Sequence, residues 1–278
     1  MNNLNKSKTK STVWVVEKDK IRSRLDQITI EEPLEIRLTS PQQTVAVTMR
    51  TPGADFELAA GFLYSEGVIT SKQDIQKISY CVDAKIDGEQ RYNIINVELK
   101  PDLNPNLQPL ERHFYISSAC GVCGKANLEA LRLRGCQIIN ANFQVKSEII
   151  YNLPNQLRAA QNIFSSTGGL HAAAVFNKEG NLLKLQEDVG RHNALDKLIG
   201  AALLADELPL NESIIMVSGR SSFEILQKAT VAGVPIVCAV SAPSSLAVSV
   251  ARDFGITLIG FLRDQRFNIY SGRERIMI

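Results

Sequence analysis

The sequence predicts an α/β protein whose C-terminal part holds a parallel, largely buried sheet, with a smaller α+β domain in front of it. Three observations carry this. Short apolar runs alternate with helical patterns from Leu195 to Leu262; strand-like runs surround one helical pattern between Trp14 and Phe114; and a proline-rich stretch separates the two.

Residues 1–12 are rich in Asn, Lys, Ser and Thr, with little to bury, and are expected to form a disordered tail. Residues 13–114 are expected to fold as the small α+β domain, with strands near 12–16, 34–38, 45–49 and 91–99 around a helix over 56–66. Near its end Pro101, Pro105 and Pro109 recur in a short segment, and proline's missing N–H excludes both a helix and a central strand there.

Residues 115–278 make up the α/β domain. A cysteine loop opens it, and a helix over 125–133 and an amphipathic segment over 149–164 follow. A strand pair over 169–176 and 182–185 is joined by Asn177-Lys178-Glu179-Gly180-Asn181, whose residue types suit a turn. Leu195, Leu198, Ile199, Ala202 and Leu203 then share one helix face. Strands over 213–217, 234–240 and 256–262 alternate with helices over 223–232 and 245–254, each helix closed by a glycine. Such alternation indicates parallel strands with right-handed crossovers.

The 278 residues carry 31 basic and 29 acidic side chains, a net charge of +2 that argues against a duplex nucleic-acid or anionic-membrane partner. Five cysteines in a chain of this length do not make the disulfide framework of a small secreted domain. The polar N-terminus has no apolar core of signal-peptide length, and no apolar run reaches the roughly 18 residues of a membrane span, so a cytoplasmic location is expected.

Four clusters could carry chemistry. The first is Ser117-Ser118-Ala119-Cys120-Gly121-Val122-Cys123-Gly124-Lys125, before a predicted helix. The helix N-terminus and Lys125 both favour a thiolate, and the glycines leave the backbone open. Three readings remain at this point: a zinc site, for which the usual second cysteine pair is missing; a thioredoxin-like redox pair, which would sit earlier in the chain; and a sulfur relay.

The second cluster, Thr167-Gly168-Gly169-Leu170-His171, resembles the His-x-Glu of zinc deaminases, but Ala173 stands where the proton-shuttling Glu would be. A histidine satisfied at the start of a buried strand is the plainer reading. Third, Glu187-Asp188-Val189-Gly190-Arg191-His192-Asn193 enters a helix. Arg191 and His192 could hold an anion there, or Asp188 and Arg191 could satisfy one another. Fourth, the loops 218–222, 241–245 and 263–266 follow the predicted strands. In open parallel sheets ligands bind at that edge, and these loops offer hydroxyls, helix N-termini and Arg220, Arg263 and Arg266, suited to phosphate. Capping serines and solvated arginines are the bland alternative. No Walker loop or G-x-G-x-x-G is present.

Taken together, Pro52-Gly53, the run from Asp55 to Leu63, Ser65-Glu66-Gly67, the run from Ser118 to Lys125, Thr167 to His171, Glu187 to Lys197, Ser218-Gly219-Arg220 and Gly260-Phe261-Leu262-Arg263 resemble the FdhD/NarQ family of formate dehydrogenase accessory sulfurtransferases, in order along the chain. The resemblance implies a sulfurtransferase that takes sulfur from a cysteine desulfurase and passes it to the molybdenum or tungsten bis(molybdopterin guanine dinucleotide) cofactor of formate dehydrogenase. It implies Cys120 as the persulfide-bearing residue with Cys123 as its companion, and Phe261, Leu262, Arg263, Asp264, Gln265 and Arg266 as the cofactor-binding segment. Asp264-Gln265 departs from the glycine-containing form of that segment. The resemblance further implies a cytidine deaminase-like fold for the C-terminal domain, a homodimer, and no metal of the protein's own. The rival from another class is a chaperone that binds the cofactor without covalent chemistry.

Overall fold

The computed structural model describes residues 7–88, 90–107, 129, 131–132, 136–140 and 142–278. The cysteine loop at 117–125, and with it Cys120 and Cys123, lies outside the described residues, as does most of the helix expected over 125–133.

The chain opens with a hairpin of β1 (Lys8–Glu17) and β2 (Lys20–Thr29), antiparallel along its whole length. The first strand therefore starts inside the stretch expected as a tail. Its polar residues have cross-strand partners, Lys8 opposite Thr29 and Lys10 opposite Gln27. Directly opposed residues share a face, which puts Trp14, Val16, Ile21 and Leu25 on one side, each at least 65% exposed. Only the base of the hairpin is tied down, where Thr29 Oγ1 donates to Thr167 Oγ1 at 2.9 Å and Lys8 Nζ to Ser166 Oγ at 3.2 Å.

A four-stranded sheet follows, built from β3 (Glu32–Thr39), β4 (Gln42–Arg50), β5 (Ile75–Tyr80) and β6 (Ile94–Leu99) in the order β4-β3-β6-β5. Alternation along β3 sends Leu34, Ile36 and Leu38 inward, where α1 (Asp55–Ser65) covers them with Leu58, Ala59 and Leu63. Arg50 and Asp55 form a buried two-pronged pair, both bonds 3.1 Å, that fixes the start of α1 against β4.

The second sheet has six strands, with helices on both faces. Its elements are β7 (Val145–Lys146), which pairs apart from the main sheet, α2 (Ser147–Ala160), α3 (Asn162–Thr167), β8 (His171–Asn177), β9 (Leu182–Asp188), α4 (Arg191–Leu204), β10 (Ser213–Val217), α5 (Phe223–Val231), β11 (Ile236–Ala239), α6 (Ser245–Asp253), β12 (Thr257–Arg263) and β13 (Arg266–Ser271); β14 (Ile276–Met277) then pairs with β7. The order is β13-β12-β11-β10-β8-β9.

The three strands expected to be parallel, β10, β11 and β12, are parallel at the centre of the sheet; the turn-linked pair β8–β9 and the strand β13 extend it into a mixed sheet, β8 and β13 running antiparallel to the central strands and β9 antiparallel to β8. The cause is connection length, because β8–β9 and β12–β13 are joined by turns too short for a crossover. Strand alternation splits the apolar residues between two cores. Ile215, Val217, Val237 and Ala239 face α4, α5 and α6, while Ile214, Met216, Ile236 and Cys238 face Ile150, Leu153 and Leu157 of α2. Burial in that second core pushes the Cys238 thiol well up, so it is an inert packing residue. Among the described residues no helix is long and apolar enough to cross a membrane.

The two sheets are joined through α1 and α4. A Cβ on Gly61 would land on the backbone carbonyl of Asp196, and a Cβ on Gly200 on that of Glu57, both far inside van der Waals contact. The helices thus cross backbone to backbone, a geometry open only to glycine at both positions. Polar groups complete the seam: Lys197 Nζ donates to Thr51 O and Asp188 Oδ2, both at 2.7 Å, and Thr51 N donates to Asp188 Oδ2 at 3.1 Å. Asn193 Nδ2 donates to Met49 O at 2.7 Å, and Lys228 reaches Asp196 at 2.8 Å.

Gly200→Ala is expected to lower unfolding stability by at least about 2 kcal/mol, the cost of forcing an added methyl into packed backbone. Gly88→Ala, at a glycine with open space around it, should stay within about 0.5 kcal/mol. Urea denaturation of both variants checks this; equal stabilities would contradict the crossing geometry.

Candidate functional site

The carboxyl ends of β10, β11 and β12 form one edge, and the loops beyond them touch one another. Ser221 pairs with Pro243 in an isolated bridge, Ser244 N donates to Ser221 O at 3.0 Å, and Phe261 N donates to Ser241 O at 3.2 Å. The antiparallel neighbours bring two further elements to the same edge. His171 at the start of β8 lies opposite Asp188 at the end of β9, and Ser218 N donates to Ala172 O at 2.9 Å. The second, third and fourth clusters of the sequence analysis therefore meet along one edge.

The segment 261–266 is a hairpin corner rather than a strand-to-helix loop. β12 ends at Arg263, Asp264-Gln265 make the turn, and Arg263 pairs with Arg266 across it. Phe261 and Asp264 both take positive φ, 54° each, the region where asparagine, aspartate and glycine are the usual occupants. Arg263, Asp264, Gln265 and Arg266 are exposed, and among the described residues neither arginine carries an ion pair. Leu262 differs from its neighbours: its side chain is fully buried in the core beside Ile259 and Cys238. Two unpaired guanidinium groups on a two-residue turn are suited to bidentate contact with phosphate or carboxylate.

At the other end of the edge, α4 and α5 begin close together. His192 Nε2 lies 2.7 Å from Glu224 Oε2 and 3.2 Å from Ser222 Oγ, so the first turns of the two helices are linked. The bond from His192 holds the Glu224 carboxyl down to about 2, against the effect of its partial burial. Ser218 Oγ accepts from Ala172 N at 2.9 Å and lies 3.5 Å from His171 Nδ1. Burial, and then the charges of Arg191 and His192, keep His171 below the ordinary histidine range, while Asp188 pulls the other way. The imidazole is accordingly neutral at pH 7.

The reading in which Asp188 and Arg191 satisfy one another is not what the structure holds. The cation on Asp188 is Lys197, with both side chains buried, and Gly190 N and Asn193 Nδ2 occupy its other oxygen at 2.8 and 3.2 Å. The run Glu187 to Lys197 thus divides its work: Asp188, Asn193 and Lys197 bind the two sheets together, and Arg191 and His192 are left for the edge. Sequence reasoning weighed these residues singly. Their convergence depends on β8 running antiparallel to β10 and β9 antiparallel to β8, which brings the start of β8 and the end of β9 to the carboxyl edge of the central strands and which no single motif displays.

A mixed sheet covered by helices on both faces, with arginine-bearing, hydroxyl-lined loops at its strand ends, defines the class as an α/β protein. The chain belongs to the FdhD/NarQ family, whose profile matches residues 29–277. It is 50% identical over 260 residues to the sulfur carrier protein FdhD of Streptomyces coelicolor, covering 93% of this chain and 92% of that one. It is 44% identical over 252 residues to the sulfur carrier protein FdhD of Saccharolobus solfataricus, covering 90% and 91%. In fold it is similar to a crystal structure from Desulfotalea psychrophila described as a formate dehydrogenase accessory protein, with a TM-score of 0.75, 24% identity, and 97% and 99% of the two chains covered.

Proposed function

We propose that this protein carries sulfur for the maturation of formate dehydrogenase, accepting it on Cys120 and delivering it to a bis(molybdopterin guanine dinucleotide) cofactor held at the strand-end edge. The observation that carries the cofactor half of this reading is the hairpin corner, where Arg263 and Arg266 stand opposed without carboxylate partners among the described residues. Membership of a family whose relatives are named sulfur carriers supports the other half.

In the loading step the Cys120 thiolate attacks the outer sulfur of a persulfide on a cysteine desulfurase. The sulfur–sulfur bond of the donor breaks, the desulfurase thiolate leaves, and a persulfide forms on Cys120 with no net change of oxidation state. Lys125 and the start of the helix expected after the loop would favour the thiolate. The protein would then act as a sulfurtransferase: the bond between the terminal sulfur and Cys120 Sγ breaks, the Cys120 thiolate leaves, and the sulfur reaches the sulfide level on its substrate with two electrons that the reduced metal centre of that substrate or an external thiol reductant would supply. Arg263 and Arg266, flanking Asp264 and Gln265, would grip phosphate while Phe261 offers a half-buried aromatic face beside it. Leu262 would contribute through packing that fixes the corner.

The cytidine deaminase-like description of the C-terminal domain is supported by a mixed sheet with helices on both faces and by His171 at its ligand-bearing edge. A cytoplasmic location fits sulfur relay through free thiols, which reducing conditions maintain. A homodimer is supported by the hairpin β1–β2, since an isolated two-stranded ribbon with an exposed apolar face is marginal in water until something covers it.

Two experiments test these readings. In cells lacking the native protein, Cys120→Ala is expected to abolish formate dehydrogenase activity, and the double variant Arg263→Gln with Arg266→Gln to reduce it at least about tenfold, the scale of a lost charge-assisted pair. Retention of full activity by Cys120→Ala, with loss in the arginine variant, would replace the carrier by a non-covalent cofactor chaperone. Light scattering of the purified protein is expected to give the mass of two chains, and Trp14→Ser with Leu25→Ser the mass of one; a monomeric native protein would end the dimer reading.

A further inference from the structure

We infer that the cleft walled by residues 136–140 and 142–143 is the docking site for the sulfur donor, and that it takes an extended peptide segment of the cysteine desulfurase. The inference rests on the reading that such an enzyme loads Cys120, and it names the surface on which the two proteins meet.

The cleft has a volume of about 830 Å³ and lies at the amino ends of β10 and β11, where Pro209, Asn211, Val231 and Gly233 line it. Its wall is pinned at one point to the large sheet: Ile139 N donates to Phe254 O at 3.0 Å, and Ile139 O accepts from Arg275 Nη2 at 3.0 Å. Arg275 is itself buried and donates from Nη1 to Thr257 Oγ1 at 3.2 Å. A Cβ on Gly255, which takes a φ of +69°, would stand 3.0 Å from Ile139 O, so the wall seats against bare backbone there. A cleft formed in advance lowers the ordering cost of whatever binds it.

Two features of the lining select a peptide. Among the described residues Ile138, Asn140 and Asn142 make no backbone hydrogen bond, and main chain with open N–H and C=O groups beside a cleft is what an added strand pairs with. The side chains suit the same occupant. The carboxamides of Asn140, Asn142 and Asn211 each offer a donor and an acceptor, as a peptide group does, while Tyr64, Ile138, Phe143 and Val231 offer apolar contact to alternate side chains. Ile138 is 60% exposed, an apolar side chain with nothing covering it among the described residues. The charges at the cleft offset one another, since Lys178 and Glu212 flank the opposed pair Asn177 and Ser213. Neither a phosphate nor a cation is favoured over an uncharged chain.

Position selects the donor among possible peptides. Leu131 is buried in the core of the large sheet and its carbonyl accepts from Cys136 N at 3.3 Å, which joins it to the wall of the cleft. Cys120 lies eleven residues before Leu131, a reach of at most roughly 40 Å. A protein seated in the cleft therefore stands within reach of the cysteine it must load. It also leaves the strand-end edge open for the substrate, because the cleft is at the other end of β10 and β11.

The test is hydrogen exchange of the full chain, alone and with a cysteine desulfurase, together with calorimetric titration of the two proteins. Slower amide exchange at Ile138, Asn140 and Asn142 is expected when the desulfurase is added. Ile138→Asp with Asn140→Asp is expected to weaken desulfurase binding at least about tenfold and to slow sulfur transfer from it by a similar factor, while inorganic polysulfide loads Cys120 at the native rate. Exchange on the native protein decides the matter if that variant fails to fold. Unchanged exchange on adding desulfurase would overturn the docking site; so would slow exchange at these amides in the chain alone, which would assign the cleft to a segment of this chain. Undiminished desulfurase binding by the variant would overturn it and leave the proposed function standing. A native protein that neither desulfurase nor polysulfide loads at Cys120 would instead remove the sulfur-carrier reading on which it rests.

Discussion

The backbone contact between Gly61 on α1 and Gly200 on α4 is the constraint from which the rest of this structure follows. It sets the distance between a four-stranded sheet and a six-stranded one. Glycine in mid-helix is unfavourable by about 1 kcal/mol relative to alanine, and here two such positions face each other, so the cost is offset by a contact that no other residue permits. Because α4 begins at Arg191, immediately beyond β9, whatever fixes α4 also fixes the strand-end edge of the large sheet.

The polar seam does for orientation what the glycines do for distance. Asp188 has both oxygens engaged, by Lys197 and Thr51 on one side and by Gly190 and Asn193 on the other. Breaking a buried, fully satisfied ion pair by removing one member leaves an uncompensated charge, so such a network admits one arrangement of the two sheets and few others. One consequence is positional. With Asp188 held by Lys197, Arg191 stands beside His171 against Gly219, and the corner at Arg263 and Arg266 lies further along the same edge.

Much of this was legible in the sequence, and the reasons for the exceptions are physical. The β10-α5-β11-α6-β12 succession follows from apolar strands buried on both faces and from helices closed by Gly233 and Gly255, and strand 213–217 agrees with β10 end to end. The neighbours β8, β9 and β13 turned a parallel expectation into a mixed sheet, since direction is set by the short connections rather than by the strands' own pattern. β2 alternates Lys20, Arg22, Arg24 and Asp26 with Ile21, Ser23 and Leu25, but only two of those alternate positions are apolar and no core among the described residues covers them, so the pattern was too weak to read as a strand. The corner at 261–266 was read as a loop after the last strand and not as a hairpin, because Asp264-Gln265 carries no glycine or asparagine to signal a tight turn, although Asp264 takes a positive φ there. Arg191 was visible as a candidate; its freedom from Asp188 was not, because Lys197 lies about 1.7 helical turns further along α4 and reaches back only once the helix is formed.

Under the proposed function, the seam and the edge would hold a phosphorylated substrate while Cys120 delivers sulfur to it. The central claim is that Cys120 carries that sulfur. Intact-protein mass spectrometry after incubation with a cysteine desulfurase and cysteine addresses it without reference to any downstream enzyme. The account predicts the gain of one sulfur atom, reversed by reductant, present in the native protein and in Cys123→Ala and absent from Cys120→Ala; a gain that persists in Cys120→Ala, or none in the native protein, would contradict it.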